Sequence, residues 1–196
     1  MAEVHETLEQ AEHAEHASHH NKGIALLISI LALCLAFGET LGKSSQTTAI
    51  TLNVKANDLW AFYQAKTIRM YVIQTAVATM TIEASRTTDQ AVKDAQTKQI
   101  DTWKKEAARL DDEPGKDGRK QLMQQARDAE EQRDVQLAKY HSFEISSAAF
   151  QIGIVLASAT IITGMMALAW ISGALGIAGL IFMGIGLLAP EAVHLL

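Results

Sequence analysis

Apolar residues fall in two long blocks separated by a charged middle. The first, 23–41, reads GIALLISILALCLAFGETL and carries a single charge, Glu39. A helix needs roughly 20 apolar residues to cross the hydrocarbon core of a bilayer. Lys22 before the block and Lys43 after it give it polar ends, so a first transmembrane helix is expected at 23–42. The preceding tail, 1–22, is acidic and shows no small-residue cleavage site, which points to an uncleaved span. The second block, 145–189, runs for 45 residues without a charge. That is too long for one span and suits two of roughly 20 residues with a short turn. A transmembrane pair is expected at 148–190, followed by a short tail at 191–196. The turn is expected near 169–173, where Trp170 would sit at an interface and Gly173 would ease the reversal. Gly173, Gly176 and Gly179 offer the small surfaces that let membrane helices approach closely.

The middle, 43–147, is rich in Ala, Gln, Lys, Glu and Arg, which favour helix. Its one strong breaker is EPGKDG at 113–118, a turn by composition. Before it, Ile100, Trp103, Ala107 and Leu110 follow a 3-4-3 spacing. After it, Leu122, Ala126, Ala129, Arg133, Gln136, Tyr140 and Phe143 follow a 4-3 spacing. The pattern predicts an antiparallel helical hairpin with a thin, coiled-coil-like seam turning at 113–118. Thr87 and Gln90 have capping-box spacing and divide the ascending side into 44–84 and 88–112. The lengths are unequal, since 44–112 has 69 residues and 119–147 has 29. The excess must bend or travel sideways.

The segment 44–84 has its own 4-3 repeat: Leu52, Ala56, Leu59, Tyr63, Lys66, Met70, Ile73, Val77, Met80 and Ala84. Trp60, Phe62, Tyr63 and Tyr71 lie here beside Lys66 and Arg69. Two readings stay open. Aromatic rings with basic residues suit a membrane–water interface, and a repeated apolar stripe suits packing on other copies. The second makes Leu52, Leu59, Tyr63, Ile73 and Met80, with Gly173, Gly176 and Gly179, candidate contacts in a homo-oligomer.

The run Asn57-Asp58-Leu59-Trp60-Ala61-Phe62-Tyr63-Gln64-Ala65-Lys66, after a span ending Gly42-Lys43-Ser44, resembles an uncharacterised bacterial membrane-protein family, domain of unknown function 4337. The resemblance covers nearly the whole chain. It implies a bacterial membrane location and brings no activity or catalytic residues.

Charge changes this picture little. The tail holds five Glu against Lys22, and 43–147 holds sixteen basic against fifteen acidic residues, within a net charge of −5. Such a mixed-sign middle suits solvated helices and offers no basic footprint for nucleic acid. Lys43, Lys55, Arg133 and Lys139 flank the spans on one side, which favours a cytoplasmic middle and an outward tail by the positive-inside rule.

Candidate chemistry is sparse. His13, His16, His19 and His20, among several Glu, recur at about one helical turn and could bind zinc, nickel or copper. A polar, pH-sensitive tail is the plainer account. Glu39 is the one acid within the spans. It can pair with Lys43 one turn on, or line a cation path in a symmetric oligomer. The single cysteine, Cys34, reads as a packing residue, and His141 and His194 are isolated. Asp111, Asp112 and Glu113 form a solvated helix end without the alternating ligands of a calcium loop. No phosphate loop, nucleophile elbow or HExxH occurs.

The expectation is an all-α, helical integral membrane protein with three transmembrane helices and a central extramembrane hairpin. It would be non-enzymatic and without cofactor, an oligomeric bacterial inner-membrane scaffold with the lipid bilayer and its own copies as partners. The alternative is a cation channel or transport component using Glu39.

Overall fold

The computed structural model describes side chains for residues 22–113 and 115–190. Among the described residues there are four helices and no strand: α1 Ala2–Arg86, α2 Gln90–Asp111, α3 Arg119–Thr163 and α4 Met166–Leu188. The described stretch of α1 contains no proline, and its threonines satisfy themselves on the preceding turn. Thr40, Thr48, Thr67 and Thr75 each donate to the carbonyl four residues back. The helix runs on without a break past 42, where the first span is expected to end. The chain divides into two compact units: residues 1–48 with 135–196, and residues 49–134.

In the unit 49–134, the 4-3 stripe of α1 faces inward. Ala56, Met70 and Ala84 are buried, and Leu52, Leu59, Tyr63, Ile73 and Met80 are half-buried. They are covered by the seams expected on the other arms, with Ile100 of α2 and Leu122, Ala126 and Ala129 of α3 all buried. The expected hairpin between α2 and α3 is not formed. Arg69 of α1 pairs with Glu106 of α2. Trp60 Nε1 donates to Glu130 Oε1 of α3 at 2.9 Å, and Arg133 Nη1 donates to Asn53 Oδ1 at 3.4 Å. As the chain advances from 106 to 133, its partners step down α1 from 69 to 53. Both α2 and this part of α3 thus run antiparallel to α1, one after the other.

The reversal lies at 87–89. Thr87 N donates to Glu83 O at 3.1 Å and closes α1. The cap of α2 is Asp89, whose carboxylate accepts from Ala91 N at 2.9 Å and Val92 N at 3.4 Å. Thr87 is not the cap, because its hydroxyl is turned back onto Glu83 O at 3.2 Å. The 112–118 stretch links two helices that point the same way. Gly115 there takes φ +78°, a backbone that only glycine adopts freely. This placement also resolves the unequal arms: 38 residues of α1 in this unit face 22 of α2 plus 16 of α3.

The other unit packs α1, α3 and α4 through small residues against large ones. Leu31 of α1 lies against Gly153 of α3 and Gly176 of α4. Phe150 is fully buried against Gly179, where an added Cβ would come within 2.6 Å of its ring. Phe143 lies against Gly42 and Gly186. Two hydroxyls tie the backbones together: Ser146 Oγ donates to Gly179 O and Ser172 Oγ to Gly153 O, each at 2.7 Å. The connection between α3 and α4 falls at 164–165, before the 169–173 expected for it. Gly164 takes φ +69°, and Thr163 Oγ1 accepts from Met165 N at 3.3 Å, which together stop α3 and start α4. Trp170 lies inside α4 and is 78% exposed. Among the described residues, three helices are long and apolar enough to cross a membrane by length and composition.

Gly179→Leu is expected to lower the thermal midpoint of the full chain in mild detergent, with an overpacking cost of about 1–3 kcal/mol. Gly184→Leu, whose Cβ would meet nothing within 4 Å, should change it little. Equal midpoints for the two variants would contradict the packing at Gly179.

Candidate functional site

The polar side chains of the first unit gather where the apolar run of α1 ends. Gly38 and Gly42, one turn apart, leave one face of α1 without side chains, and α3 packs there. Gly42 lies under Phe143, and a Cβ at Gly38 would sit 2.8 Å from Ser147 Oγ. The shallow groove beside this contact holds about 510 Å³, with Glu39, Lys43 and Gln46 on one wall and Tyr140, Glu144 and Gln151 on the other. Gln151 Nε2 donates to Glu39 Oε1 at 3.2 Å. Glu39 therefore takes an amide from α3, and no carboxylate lies within 4.0 Å of the Lys43 ammonium among the described residues. Tyr140 OH donates to Glu144 Oε1 at 3.3 Å, and the charge of Glu144 pushes the phenol up from its ordinary value. His141 Nδ1 stands 3.6 Å from Glu144 Oε2. Ser147 is buried, and its hydroxyl has no hydrogen-bond partner.

The sequence singled out Glu39 and Lys43 and missed Ser147 and Gln151. The available signal was the amide of Gln151 inside an uncharged apolar block, together with the small residues Gly38 and Gly42 at helical spacing.

The candidate oligomer contacts fall in two groups within the single chain. Leu52, Leu59, Tyr63, Ile73 and Met80 are taken up by α2 and α3 of the same chain, and Arg119 stacks 5.5 Å over the Tyr63 ring. Gly176 and Gly179 are filled by Leu31 and Phe150, while Gly173 keeps open space. The apolar face left uncovered is the opposite side of α1. Ile50, Val54, Ile68, Val72 and Ile82 are all more than half exposed. Val54, Ala61, Ala65, Ile68, Val72, Thr75, Thr79 and Ile82 make a second heptad stripe, two positions out of step with the first. Ile68, Val72, Thr75 and Thr79 line an open apolar groove of about 670 Å³ closed on one side by Trp103. His13, His16, His19 and His20 lie outside the residues whose side chains are described. Cys34 is half-buried within the first unit.

The link between α2 and α3 is held by charge. Gln121 Nε2 donates to Asp112 Oδ1 at 2.7 Å and Lys120 Nζ to Oδ2 at 3.1 Å, and both hold the Asp112 carboxyl below its ordinary range. Partial burial pushes Glu113 up, but the Lys116 ammonium and the Arg109 guanidinium outweigh it and hold the carboxyl down. Lys120 is raised in turn by its bond to Asp112 and by the charges of Asp112 and Asp111. Asp111 also pairs with Arg119 at 3.1 Å. These groups account for themselves as a structural clasp.

A family model described as Domain of unknown function (DUF4337) matches residues 20–189. The chain belongs to that family. No curated protein and no solved structure matches it.

The clasp carries a pH dependence of known sign. Asp112 and Glu113 have lowered pKa values when folded, so their stabilisation is present above the ordinary carboxylate range, about 4, and is lost as pH falls through the folded values. Amide protection across 109–121, corrected for intrinsic exchange, should drop between pH 7 and about 3. Asp112→Asn with Glu113→Gln should remove most of that change. Unaltered pH dependence in the double variant would contradict the clasp.

Proposed function

We propose that this member of the DUF4337 family is a non-enzymatic, oligomeric protein of a bacterial inner membrane. Its paired helices at 49–134 would be an extramembrane assembly surface, also open to a docking partner. The apolar stretches of α1, α3 and α4 would cross the bilayer, with the charged middle on the cytoplasmic side as the flanking Lys and Arg favour. Small-against-large packing with inter-helix hydroxyl bonds supports a lipid setting, because lipid supplies no hydrophobic drive between helices and contact must come from close approach.

The observation that carries the assembly reading is the second stripe of α1. Large exposed apolar patches on a charged surface mark contact with another chain or a membrane. Here the side chains recur at heptad spacing over 61–82, the spacing that another helix covers. Covering one Ile or Val contributes about 1.5–3 kcal/mol, so several per copy are enough to offset the ordering of an interface. The cation-path alternative rests on Glu39, which is exposed in the groove and accepts from Gln151 Nε2 through one carboxylate oxygen.

The full chain in mild detergent is expected to show a native mass of two or more copies. Ile68→Asp with Val72→Asp should reduce that mass to one chain while keeping most of the helicity. Leu59→Asp with Ile73→Asp should instead cost helicity, because those residues face α2 and α3. A wild-type monomer, or a double Ile68/Val72 variant that keeps its mass, would contradict the reading. Cation flux through reconstituted protein, lost in Glu39→Gln, would establish the alternative.

A further inference from the structure

We propose that the groove between α1 and α3 holds the headgroup of a phospholipid bearing both an ammonium and a phosphate, phosphatidylethanolamine being the simplest. The inference rests on the membrane reading above, which sets the end of the apolar run of α1 at the depth of lipid headgroups. Its walls carry both signs. Glu39 and Glu144 are carboxylates that accept from a lipid ammonium, and Lys43 is an ammonium to which no described carboxylate is paired. A second, independent observation comes from Ser147. It is 8% exposed, its hydroxyl is unpartnered, and it lines the same groove, over Gly38. The hydroxyl oxygen itself is enclosed between α3 and the backbone of α1 at Gly38, so Ser147 adds a polar wall to the groove and not an open donor.

Other ligands satisfy only part of this set. A bare divalent ion prefers several carboxylates or imidazoles, and no such group of three or more is present among the described residues. Lys43 would also repel it. An anionic headgroup would meet Lys43 favourably but would face Glu39 and Glu144 across a groove of about 510 Å³, and like charges brought close discriminate against a ligand. A zwitterion places its ammonium on the acids and its phosphate on Lys43. The glycines at 38 and 42 keep the floor clear of α1 side chains, and Phe143 and Ala148 supply an apolar base for the glycerol end. Such a lipid would be a resident of the protein's own rim.

Native mass spectrometry of the delipidated full chain in mild detergent tests this. Titration uses phosphatidylethanolamine, phosphatidylglycerol and free phosphoethanolamine in separate arms. One phosphatidylethanolamine per chain should bind saturably and more tightly than phosphatidylglycerol, and free phosphoethanolamine should bind far more weakly. Glu39→Gln should weaken phosphatidylethanolamine about tenfold, the weight of one charge-assisted hydrogen bond, and should leave phosphatidylglycerol unchanged or tighter. Lys43→Gln should weaken both. Both residues are exposed, so the variants should keep the wild-type helicity. Equal binding of the two lipids, indifference to both substitutions, or equal affinity for free phosphoethanolamine would each overturn the proposal. Alkaline carbonate extraction separates its failure from that of the membrane reading. A chain that resists extraction yet shows no preference defeats the headgroup site alone, and a chain released into solution defeats both.

Discussion

One constraint organises residues 49–134: the ten-position stripe of α1 from Leu52 to Ala84 has to be covered along its whole length. No single helix of the chain does so. The upper part is met by α2, where Arg69 reaches Glu106, and the lower part by α3, where Trp60 reaches Glu130 and Asn53 reaches Arg133. Because the two covering helices follow one another down α1, neither needs a wide apolar face. Ala126 and Ala129 suffice on α3, since short side chains bring the backbones close. The 112–118 link then only carries the chain from one helix to the next, and its acid–base clasp serves that end.

A two-stranded arrangement covers one side of α1 and leaves the other open. The exposed stripe through Ile68, Val72 and Ile82 is thus a consequence of the same pairing. In the other unit the constraint is close approach. Leu31, Phe150 and Phe143 each enter a space that a glycine on a neighbouring helix leaves, and Ser146 and Ser172 bond to backbone carbonyls on the facing helix. Hydroxyl-to-carbonyl bonds of this kind keep their value where water is scarce. The groove beside Gly38 and Gly42 arises from the same device at the end of the apolar run.

Much of this was legible in the residues. The helical class, the three apolar stretches, the break at 113–118 and the seam positions on all three arms follow from spacing alone. Direction did not. EPGKDG marks where a helix stops with great force, but a turn signal does not say which way the next helix departs. At 87–89 the chain reverses with Thr, Thr and Asp, without glycine or proline, so the stronger turn signal lies away from the reversal. The unequal arms, 69 residues against 29, already spoke against that choice. Thr87 and Asp89 compete for the same cap, and only the geometry shows Thr87 turned back onto Glu83. Glycine misleads for a similar reason. Gly173 sits in a glycine-rich helix where Gly176, Gly179 and Gly186 pack against large side chains, while Gly164, at the end of α3, takes the left-handed backbone. The groove was half legible: Glu39 and Lys43 stand out by charge, whereas Ser147 and Gln151 acquire meaning only once α3 lies beside α1.

The central claim is the direction of α3 relative to α2, and a single distance decides it. Spin labels at Lys98 and Gln132, both exposed, in a Cys34→Ser background, can be measured by pulsed electron spin resonance on the full chain. With the reversal at 87–89 the two sites lie at well separated levels of α1, about 30–35 Å apart at 1.5 Å per residue. A hairpin turning at 113–118 would bring them side by side on neighbouring helices, with axes about 10 Å apart. A distribution centred at the long distance is what the account predicts, and one centred near or below about 15–20 Å, allowing for label length on adjacent helices, would contradict it.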